Sequence, residues 1–274
     1  MRVDLHTHSD ASDGCDTPKQ LLEAAAQIGI KLMAITDHDS IDNVAIAMQM
    51  APQYGIQLIP GVEISSTAQG KDYHILAYNF DLNNKHLLDI IHYNNEMLRQ
   101  KDIDTIERLA KLNWPVSIDE YNSYQAPKGV GGWQALNYLK SKGLCQDVND
   151  FFQRIFIKEN ELAFPQFVSH TDVISTIHAA GGIAILAHAG SSFHGMSLKM
   201  PMEVFANTNL DGFECYHPGH DAQTERFLLD YCQQHNLIST AGSDYHGAFA
   251  PRRKLGFPEI YAQQLNLGRL LSTK

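Results

Sequence analysis

The chain has 274 residues, of which 44% are hydrophobic and 19% are charged, a composition typical of a globular protein with an ordinary core. Its formal net charge of −10 argues against binding to long nucleic acid, because such binding depends on basic surfaces. No apolar run approaches the roughly 18 residues of a membrane span, and the first residues lack the apolar segment of a signal peptide. We therefore expect a cytoplasmic protein that does not contact membranes. The cysteines form no CxxC pair, which argues against a disulfide framework and against a cysteine zinc site.

Short apolar runs predict a series of β-strands, and helical patterns lie between many of them. The predicted strands cover residues 2–5, 32–36, 58–62, 73–78, 183–187, 212–215 and 237–241. Thr17 followed by Pro18 and Gln20 predicts the start of the first helix, because Thr can cap a helix that has Pro in its first turn and Gln at its third position. Gly181 and Gly182 predict the end of a later helix. The alternation of strand and helix indicates an α/β fold with a mostly parallel sheet, open or closed.

The stretch from about residue 85 to residue 167 interrupts this alternation. It predicts a long helix over residues 87–112, a short extended piece, a turn that contains Gly129, Gly131 and Gly132, and then further helix. The interpretation that fits this pattern is a mainly helical insert between two strands of the sheet.

Histidines and carboxylates are concentrated at the ends of the predicted strands. The histidines are His6, His8, His38, His74, His188, His217 and His246, and the carboxylates beside them are Asp13, Asp37, Asp39, Glu63, Glu214 and Asp244. In a β/α barrel the carboxyl ends of the strands meet on one face, where active sites are built. The sequence therefore predicts that these side chains lie in one pocket.

Taken singly, each of these motifs allows an ordinary structural explanation. His6 and His8 are two residues apart, so an extended strand points both rings to the same side, yet both could also be polar surface residues. Asp39 could cap a helix, and His74 and His188 could be core residues. The repetition of ligand types at successive strand ends makes coincidence a poor explanation. Imidazole and carboxylate ligands without thiolates suit manganese, iron or zinc, and two or three such ions activate water and bind the oxygens of a phosphoryl group.

The motifs HTHSDASDG, AITDHD, PGVEIS, HILAY, AAGGIAILAH, GFECYHPGH and GSDYHG, in this order, resemble the PHP (polymerase and histidinol phosphatase) family. The resemblance implies a distorted (β/α)7 barrel formed by residues 1–84 and 168–274, with an inserted, mainly helical cap at residues 85–167. It also implies a phosphoesterase that hydrolyses a small phosphomonoester or nucleotide by a metal-activated water. The branch that the chain resembles includes nucleoside 3′,5′-bisphosphate phosphatases and 5′–3′ exoribonucleases.

The resemblance further implies three metal positions, of which the first and the second share Glu63. The implied ligands are His6, His8, Glu63 and Asp244 for the first ion, Glu63, His74 and His188 for the second, and Asp13, His38 and His246 for the third. Two to three divalent ions (Mn, Zn or Fe) are therefore expected as cofactors. Glu63 is expected to be catalytic as the bridging carboxylate, and His217 is expected to support a ligand or donate a proton.

The resemblance is incomplete in the insert. The related branch carries a Gly-Arg-Pro-His sequence with phosphate-binding side chains, but this chain has Gly131-Gly132-Trp133-Gln134. The Ala-His-Pro-Gly of the family is replaced by a sequence with Ala189 in the place of Pro. Arg252 and Arg253 are candidates to supply the missing charge, although they could also belong to a solvated basic loop. We expect a substrate with one phosphate and a group that fits beside Trp133.

Two other functions remain open from the sequence. An amidohydrolase that cleaves C–N or C–O bonds can also begin with a His-x-His motif, and the residues that argue against it are Asp13, His38 and His246, which resemble a third metal site. A metal-bound regulatory module without activity is the second alternative. The expected partner is a small phosphorylated substrate or a short oligonucleotide, and the natural substrate, the metal and the oligomeric state are left open.

Overall fold

The computed structural model describes residues 1–191 and 197–271 of the chain. The strands are β1 (Arg2–Asp4), β2 (Ile30–Ile35), β3 (Gln57–Ala68), β4 (Lys71–Tyr78), β5 (Ile183–Leu186), β6 (Gly212–Tyr216), β7 (Ile238–Ala241) and β8 (Ile260–Tyr261). The helices are α1 (Pro18–Gln27), α2 (Val44–Met50), α3 (Lys85–Lys111), α4 (Ile118–Ser123), α5 (Gln134–Ser141), α6 (Val148–Asp150), α7 (His170–Ala179), α8 (Lys199–Phe205) and α9 (Ala222–Gln234). Within the described residues, no helix is both long enough and apolar enough to cross a bilayer.

The strands form one sheet in the order β7-β6-β5-β4-β3-β2-β1-β8, which curls into a nearly closed barrel. The amide of Leu5 donates to the carbonyl of Ala241 over 2.9 Å, and the amide of Asp244 donates to the carbonyl of His6 over 2.8 Å. These bonds join the segment after β1 to the segment after β7. The α/β barrel that the sequence analysis expected is therefore confirmed.

Two strands depart from the expected parallel arrangement, because β8 runs antiparallel to β1 and β4 is also reversed. Strand β4 runs antiparallel to both of its neighbours, β3 and β5, while β1, β2 and β3 are mutually parallel, as are β5, β6 and β7. The cause is the tight turn at Gln69 and Gly70, whose φ angles of 51° and 71° return the chain at once without a crossover helix. Strand β3 is consequently longer than predicted, and its far half pairs with β4 as a hairpin.

The barrel interior is a layer of apolar side chains from six strands. This buried cluster includes Val3, Leu32, Ile59, Leu76, Ile185 and Ile238. The helices pack on the outside of the sheet through separate clusters, one of which joins α1 and α2 to β2. Helix α1 begins as predicted, because the side chain of Thr17 accepts from the amide of Gln20 and the side chain of Gln20 accepts from the amide of Thr17. Each fully buried Leu or Ile contributes roughly 1.5–3 kcal/mol to stability.

The segment from α3 to the residues before α7 has a hydrophobic cluster of its own. Its buried members include Ile106, Leu109, Leu136, Leu139, Phe151 and Ile155. Helix α3 is attached to the hairpin by the side chain amide of Asn94, which donates to Asp39 Oδ1 over 2.9 Å and to the carbonyl of Ser65 over 2.7 Å. This separate cluster supports our interpretation of residues 85–167 as a cap on the barrel.

Candidate metal centre

All the residues that the sequence analysis assigned to metal binding meet at one end of the barrel. His6 and His8 follow β1, His38 follows β2, and Asp244 and His246 follow β7. Glu63 and His74 lie within the hairpin, and His188 follows β5. Glu63 is fully buried at the centre of the group, so that side chains from four strand ends and from β4 surround a single carboxylate.

One oxygen of Glu63 faces the residues of the first implied metal position. Glu63 Oε2 lies 3.0 Å from His6 Nε2 and 3.2 Å from His8 Nε2. Asp244 Oδ1 lies 3.2 Å from the same nitrogen of His8. Ligands bonded at about 2.0–2.2 Å to one ion lie roughly 3.0–3.5 Å apart. These four side chains therefore have the spacing of neighbours around one cation.

The other oxygen of Glu63 faces the second implied position. Glu63 Oε1 lies 3.0 Å from His74 Nδ1 and 2.9 Å from His188 Nε2. The two histidine nitrogens are 3.3 Å apart. One carboxylate thus joins two sets of ligands through its two oxygens.

The residues of the third implied position lie beside the first set. Asp13 Oδ1 is 3.2 Å from His246 Nε2 and 3.6 Å from His8 Nδ1. The ligand atoms of His8, Asp13, His38 and His246 all lie within 4.8 Å of one another. His38 Nδ1 is also 3.2 Å from Glu63 Oε2, so His38 borders two of the sets.

The chemistry of these groups fits divalent cations. Both ring nitrogens of His8 are buried and make no hydrogen bond within the described residues, although carboxylate oxygens lie close to them. Burial alone would raise the pKa of the Glu63 carboxyl, but His38 and His6 lower it well below its usual value. Burial lowers the pKa of His38 to about 3 despite the neighbouring carboxylates, so this imidazole is neutral and able to bind a metal.

Carboxylates around the ligands hold them in place. Glu214 Oε1 accepts from His6 Nδ1 over 2.9 Å, so that His6 Nε2 faces Glu63, and Glu214 Oε2 accepts from the amide of His188 over 2.8 Å. Asp39 accepts from the hydroxyl of Ser65 over 2.6 Å rather than capping a helix. The sequence analysis noted Glu214 without giving it a role. A carboxylate inside the apolar run of β6 was the available signal.

The backbone at the site adopts conformations that are rare for residues with side chains. His188 and Asp244 have φ angles of 29° and 51°. Such strain is found where a surrounding structure holds a functional side chain in place. Gly242 makes the approach of β7 to β1 possible, because a Cβ atom there would lie 2.1 Å from the Cβ atom of His6.

His217 lies beside the metal ligands rather than among them. Its Nδ1 accepts from the amide of Gly219 over 2.9 Å, so its Nε2 carries the proton and donates to Asp244 Oδ2 over 3.1 Å. This arrangement orients Asp244, as metal ligands are usually oriented by a hydrogen-bonded neighbour.

The two predicted substrate arginines differ in position. The guanidinium of Arg253 forms an ion pair with Asp244 Oδ2 at the edge of the site, and 41% of its side chain is exposed. Arg252 is exposed. Of this pair, the structure brings Arg253 to the metal centre.

Of the cap residues that depart from the family pattern, Gln134 is exposed, whereas Gly132 and Trp133 are partly buried against neighbouring aromatic rings. Trp133 contacts the rings of Phe151 and Phe249 at centroid distances of 5.1 and 6.3 Å, and the ammonium of Lys101 lies 5.2 Å from its ring centre. Gly132 has a φ of 72°, and a Cβ atom there would lie 2.6 Å from Phe249 Cε2. The ring of Phe249 thus occupies the space that a side chain at position 132 would need.

Comparisons with known proteins agree with this geometry. The family model described as PHP domain matches residues 4–157. The 5′-3′ exoribonuclease of Escherichia coli (strain K12) is 29% identical over 89% of this chain and 84% of its own length. The 3′,5′-nucleoside bisphosphate phosphatase of Chromobacterium violaceum is 25% identical over 94% of this chain and 91% of its own. A crystal structure of a putative metal-dependent phosphoesterase from Bifidobacterium adolescentis superimposes with a TM-score of 0.81 at 26% identity, covering 96% of this chain and 93% of that one.

Proposed function

The chain belongs to the PHP domain family and is a metal-dependent phosphoesterase, and we propose that its substrate is a small ester with one phosphate. The observation that carries the proposal is the position of Glu63, whose Oε2 faces three histidine nitrogens and whose Oε1 faces two others, all at 2.9–3.2 Å. A site built in this way suits the hydrolysis of a phosphate ester, in which the attacking and the leaving oxygen both need stabilisation.

We assign the metal-binding role to nine side chains. They are His6, His8, Asp13, His38, Glu63, His74, His188, Asp244 and His246. Three divalent transition-metal ions, of manganese, zinc or iron, fit this set. When bound, such ions lower the pKa of water and neutralise phosphate oxygens. Glu63 holds the first two sets at a fixed separation, and Glu214 keeps the ring of His6 in the orientation that binding needs.

For His217 we favour the supporting role over proton donation. Its ring is 3% exposed, and its nitrogens are engaged by the amide of Gly219 and by Asp244. The proton on Nε2 is directed to a carboxylate that belongs to the metal centre. His217 therefore acts on Asp244 rather than on a leaving group.

Arg253 is the residue that we assign to phosphate recognition. A guanidinium can donate two parallel hydrogen bonds to a phosphate, and this one lies half-exposed beside a metal ligand. Arg252 has no such position, and we assign it no contact with the substrate. Because Gly132 and Gln134 replace basic residues of the related branch, the cap supplies no cation at these positions for a second phosphate.

The test is phosphate release by protein loaded with Mn, Zn or Fe, against a panel of phosphomonoesters, nucleoside 3′,5′-bisphosphates and short oligonucleotides. We expect hydrolysis of monoesters that is lost when chelators remove the ions and restored when the ions return. Bisphosphates are expected to be no better substrates than the corresponding monophosphates. A metal-loaded protein that released no phosphate from any of these compounds would exclude the proposed function.

A further inference from the structure

A short turn after β5 carries His188 into the metal centre. The carbonyl of His188 accepts from the amide of Ser191 over 3.0 Å, which closes a β-turn. Ala189 and Gly190 are the central residues of this turn. His188 Nε2 lies 2.9 Å from Glu63 Oε1, so the turn borders the second metal position. The orientation of the turn therefore determines where the imidazole of His188 points.

The turn depends on restraints from neighbouring elements. His188 has a φ angle of 29°, a conformation that persists only where the surrounding structure holds it. Ala189 adds little restraint, because it lacks the ring with which proline fixes its own φ angle. The bond that closes the turn does not use the amide of Gly190, and this residue is buried. A buried amide requires an acceptor from elsewhere in the protein.

His220 supplies this acceptor. Its Nε2 accepts from the amide of Gly190 over 3.1 Å, and its Nδ1 donates to the carbonyl of Cys215 over 3.0 Å. Because an amide can only donate and a carbonyl can only accept, these two partners fix the neutral ring with its proton on Nδ1. The imidazole of His220 thus links β6, which contains Cys215, to the turn after β5.

The turn is held at two points, two residues apart. Glu214 Oε2 on β6 accepts from the amide of His188 over 2.8 Å, and His220 holds the amide of Gly190. A Cβ atom at position 190 would lie 2.4 Å from Thr224 Cγ2, so the start of α9 covers the turn. One bond alone would allow the turn to rotate about it, whereas two bonds fix both its position and its tilt.

We infer that His220 is a positioning residue of the second metal position, which acts on His188 through the amide of Gly190. The inference rests on the proposed function, because it takes His188 as a metal ligand. Both ring nitrogens of His220 bind backbone groups, so the ring does not itself bind an ion. The ring of His217 lies 5.4 Å away and orients Asp244 of the first position. The loop between β6 and α9 thereby supports one ligand of each position.

Two substitutions that differ by one methylene group separate the two bonds of His220. His220→Asn places its amide nitrogen near the position of Nδ1, so it can keep the bond to Cys215 but has no acceptor for Gly190. His220→Gln is longer, and its side-chain oxygen can reach the amide of Gly190. Both variants keep a polar side chain at this position, which limits the disturbance of the fold.

The binding test is titration of metal-free protein with Mn²⁺. We expect one of the bound ions to be held about tenfold more weakly in His220→Asn, the lower end of the range for groups that orient a metal ligand. The remaining ions should keep their affinity, since the other ligands do not lie on this turn. In His220→Gln the Kd of the weakened ion should return to within about threefold of the wild-type value.

Hydrogen exchange at the amide of Gly190 tests the same bond in metal-free protein. We expect exchange about tenfold faster in His220→Asn than in the wild type, because a buried amide has lost its acceptor. Exchange in His220→Gln should be close to that of the wild type. Unchanged exchange in His220→Asn overturns the inference, since the bond would then not restrain the turn.

The matched control is His178→Asn, near the other end of β5. His178 Nε2 bonds to Asp211 Oδ2 over 2.7 Å, and the same oxygen accepts from the amide of Ala184 over 2.8 Å. This substitution removes a partly buried imidazole beside the same strand but far along it from His188, so the affinity for Mn²⁺ should not change. Equal weakening of Mn²⁺ binding in His178→Asn and His220→Asn overturns the inference, because the loss would then reflect a general loosening of the barrel.

The same titration separates this inference from the proposed function. Wild-type protein that binds neither Mn²⁺ nor Zn²⁺ refutes the proposed function and overturns the inference with it. Wild-type protein that binds the ions, together with His220→Asn that binds all of them equally tightly, refutes the inference alone. The metal centre and the phosphoesterase assignment would then stand without a role for His220.

Discussion

The metal centre and the cap face beside it are built in different ways. At the metal centre, the side chains come from strand ends that the barrel brings together, and Glu63 has histidine nitrogens within 3.2 Å on both of its oxygens. On the cap, Trp133, which the sequence predicts to lie beside the substrate, packs against Phe151 and Phe249. A regular sheet fixes the direction of a side chain from its position in the strand, whereas a loop in a helical insert does not. The barrel therefore determines where the metal-ligand side chains lie, whereas the contacts of the cap depend on its own packing.

The largest expected effect is at the centre of the ligand set. Glu63→Gln removes the charge that faces two groups of histidines, so we expect kcat/KM to fall by about 10³-fold or more and the metal content to decrease. A loss of this size is typical when a group that stabilises charge in the transition state is removed from an active site. The matched control is Glu107→Gln, an exposed carboxylate on α3, which should retain full activity. Undiminished turnover in Glu63→Gln would refute the role of this carboxylate on every substrate tested.

The next largest effect is expected to distinguish Arg253 from Arg252, the two arginines that follow His246 in the sequence. Arg253→Ala should lower kcat/KM about tenfold, because a hydrogen bond to a charged group is worth about 1.5–3 kcal/mol and exposure reduces this value. Arg252→Ala should change kcat/KM less than twofold, since Arg252 is exposed. Steady-state kinetics on one phosphomonoester measure both variants. Equal effects of the two substitutions would show that Arg253 has no specific contact with the phosphate.

Glu214→Gln tests how far the metal centre depends on the groups around it. The amide keeps the size of the side chain but loses the charge that orients His6. We expect metal affinity to fall about tenfold, the lower end of the range for such neighbours. Competition with a metal chelator of known affinity measures the change. Unaltered metal affinity would mean that His6 keeps its orientation without the carboxylate.

The smallest effect concerns the cap. Gly132→Ala places a Cβ atom close to Phe249 at a backbone angle that favours glycine, so we expect a loss of about 1–2 kcal/mol in the free energy of unfolding. Gly143→Ala is the control, because its φ of 69° is similar but no atom lies within 4 Å of an added Cβ. Denaturant unfolding should show the larger loss in Gly132→Ala. Equal losses would mean that Phe249 does not restrict position 132.

Much of the barrel was predictable because its signals are local. The apolar runs predicted β1 to β7, and the Thr17 cap predicted the start of α1. The far half of β3 was missed because Ser65, Ser66 and Thr67 lack the apolar character of a buried strand, and its partner β4 was expected to be parallel. The sequence contains Gly70, at which the chain turns. The antiparallel pairing of β3 with β4, however, depends on the absence of a crossover helix between the two strands.

The candidate site also contains some features that the sequence predicted and others that it did not. Every predicted ligand lies in the central group, and for the ligands that directly follow β1, β2, β5 and β7 the position at a strand end determined where the side chain would be. The contact of Arg253 with Asp244 and the ring of Phe249 beside Gly132 could not be inferred, because both depend on how a loop after His246 folds against the cap.

The most direct test of the account is the metal content of the wild-type protein after gentle purification near neutral pH, measured by elemental analysis. The account predicts two to three ions of Mn, Fe or Zn per chain, and loss of these ions in mild acid, because histidine nitrogens must be unprotonated to bind. Protein that contains no metal, and that takes up neither Mn nor Zn when these are supplied, would contradict the central claim.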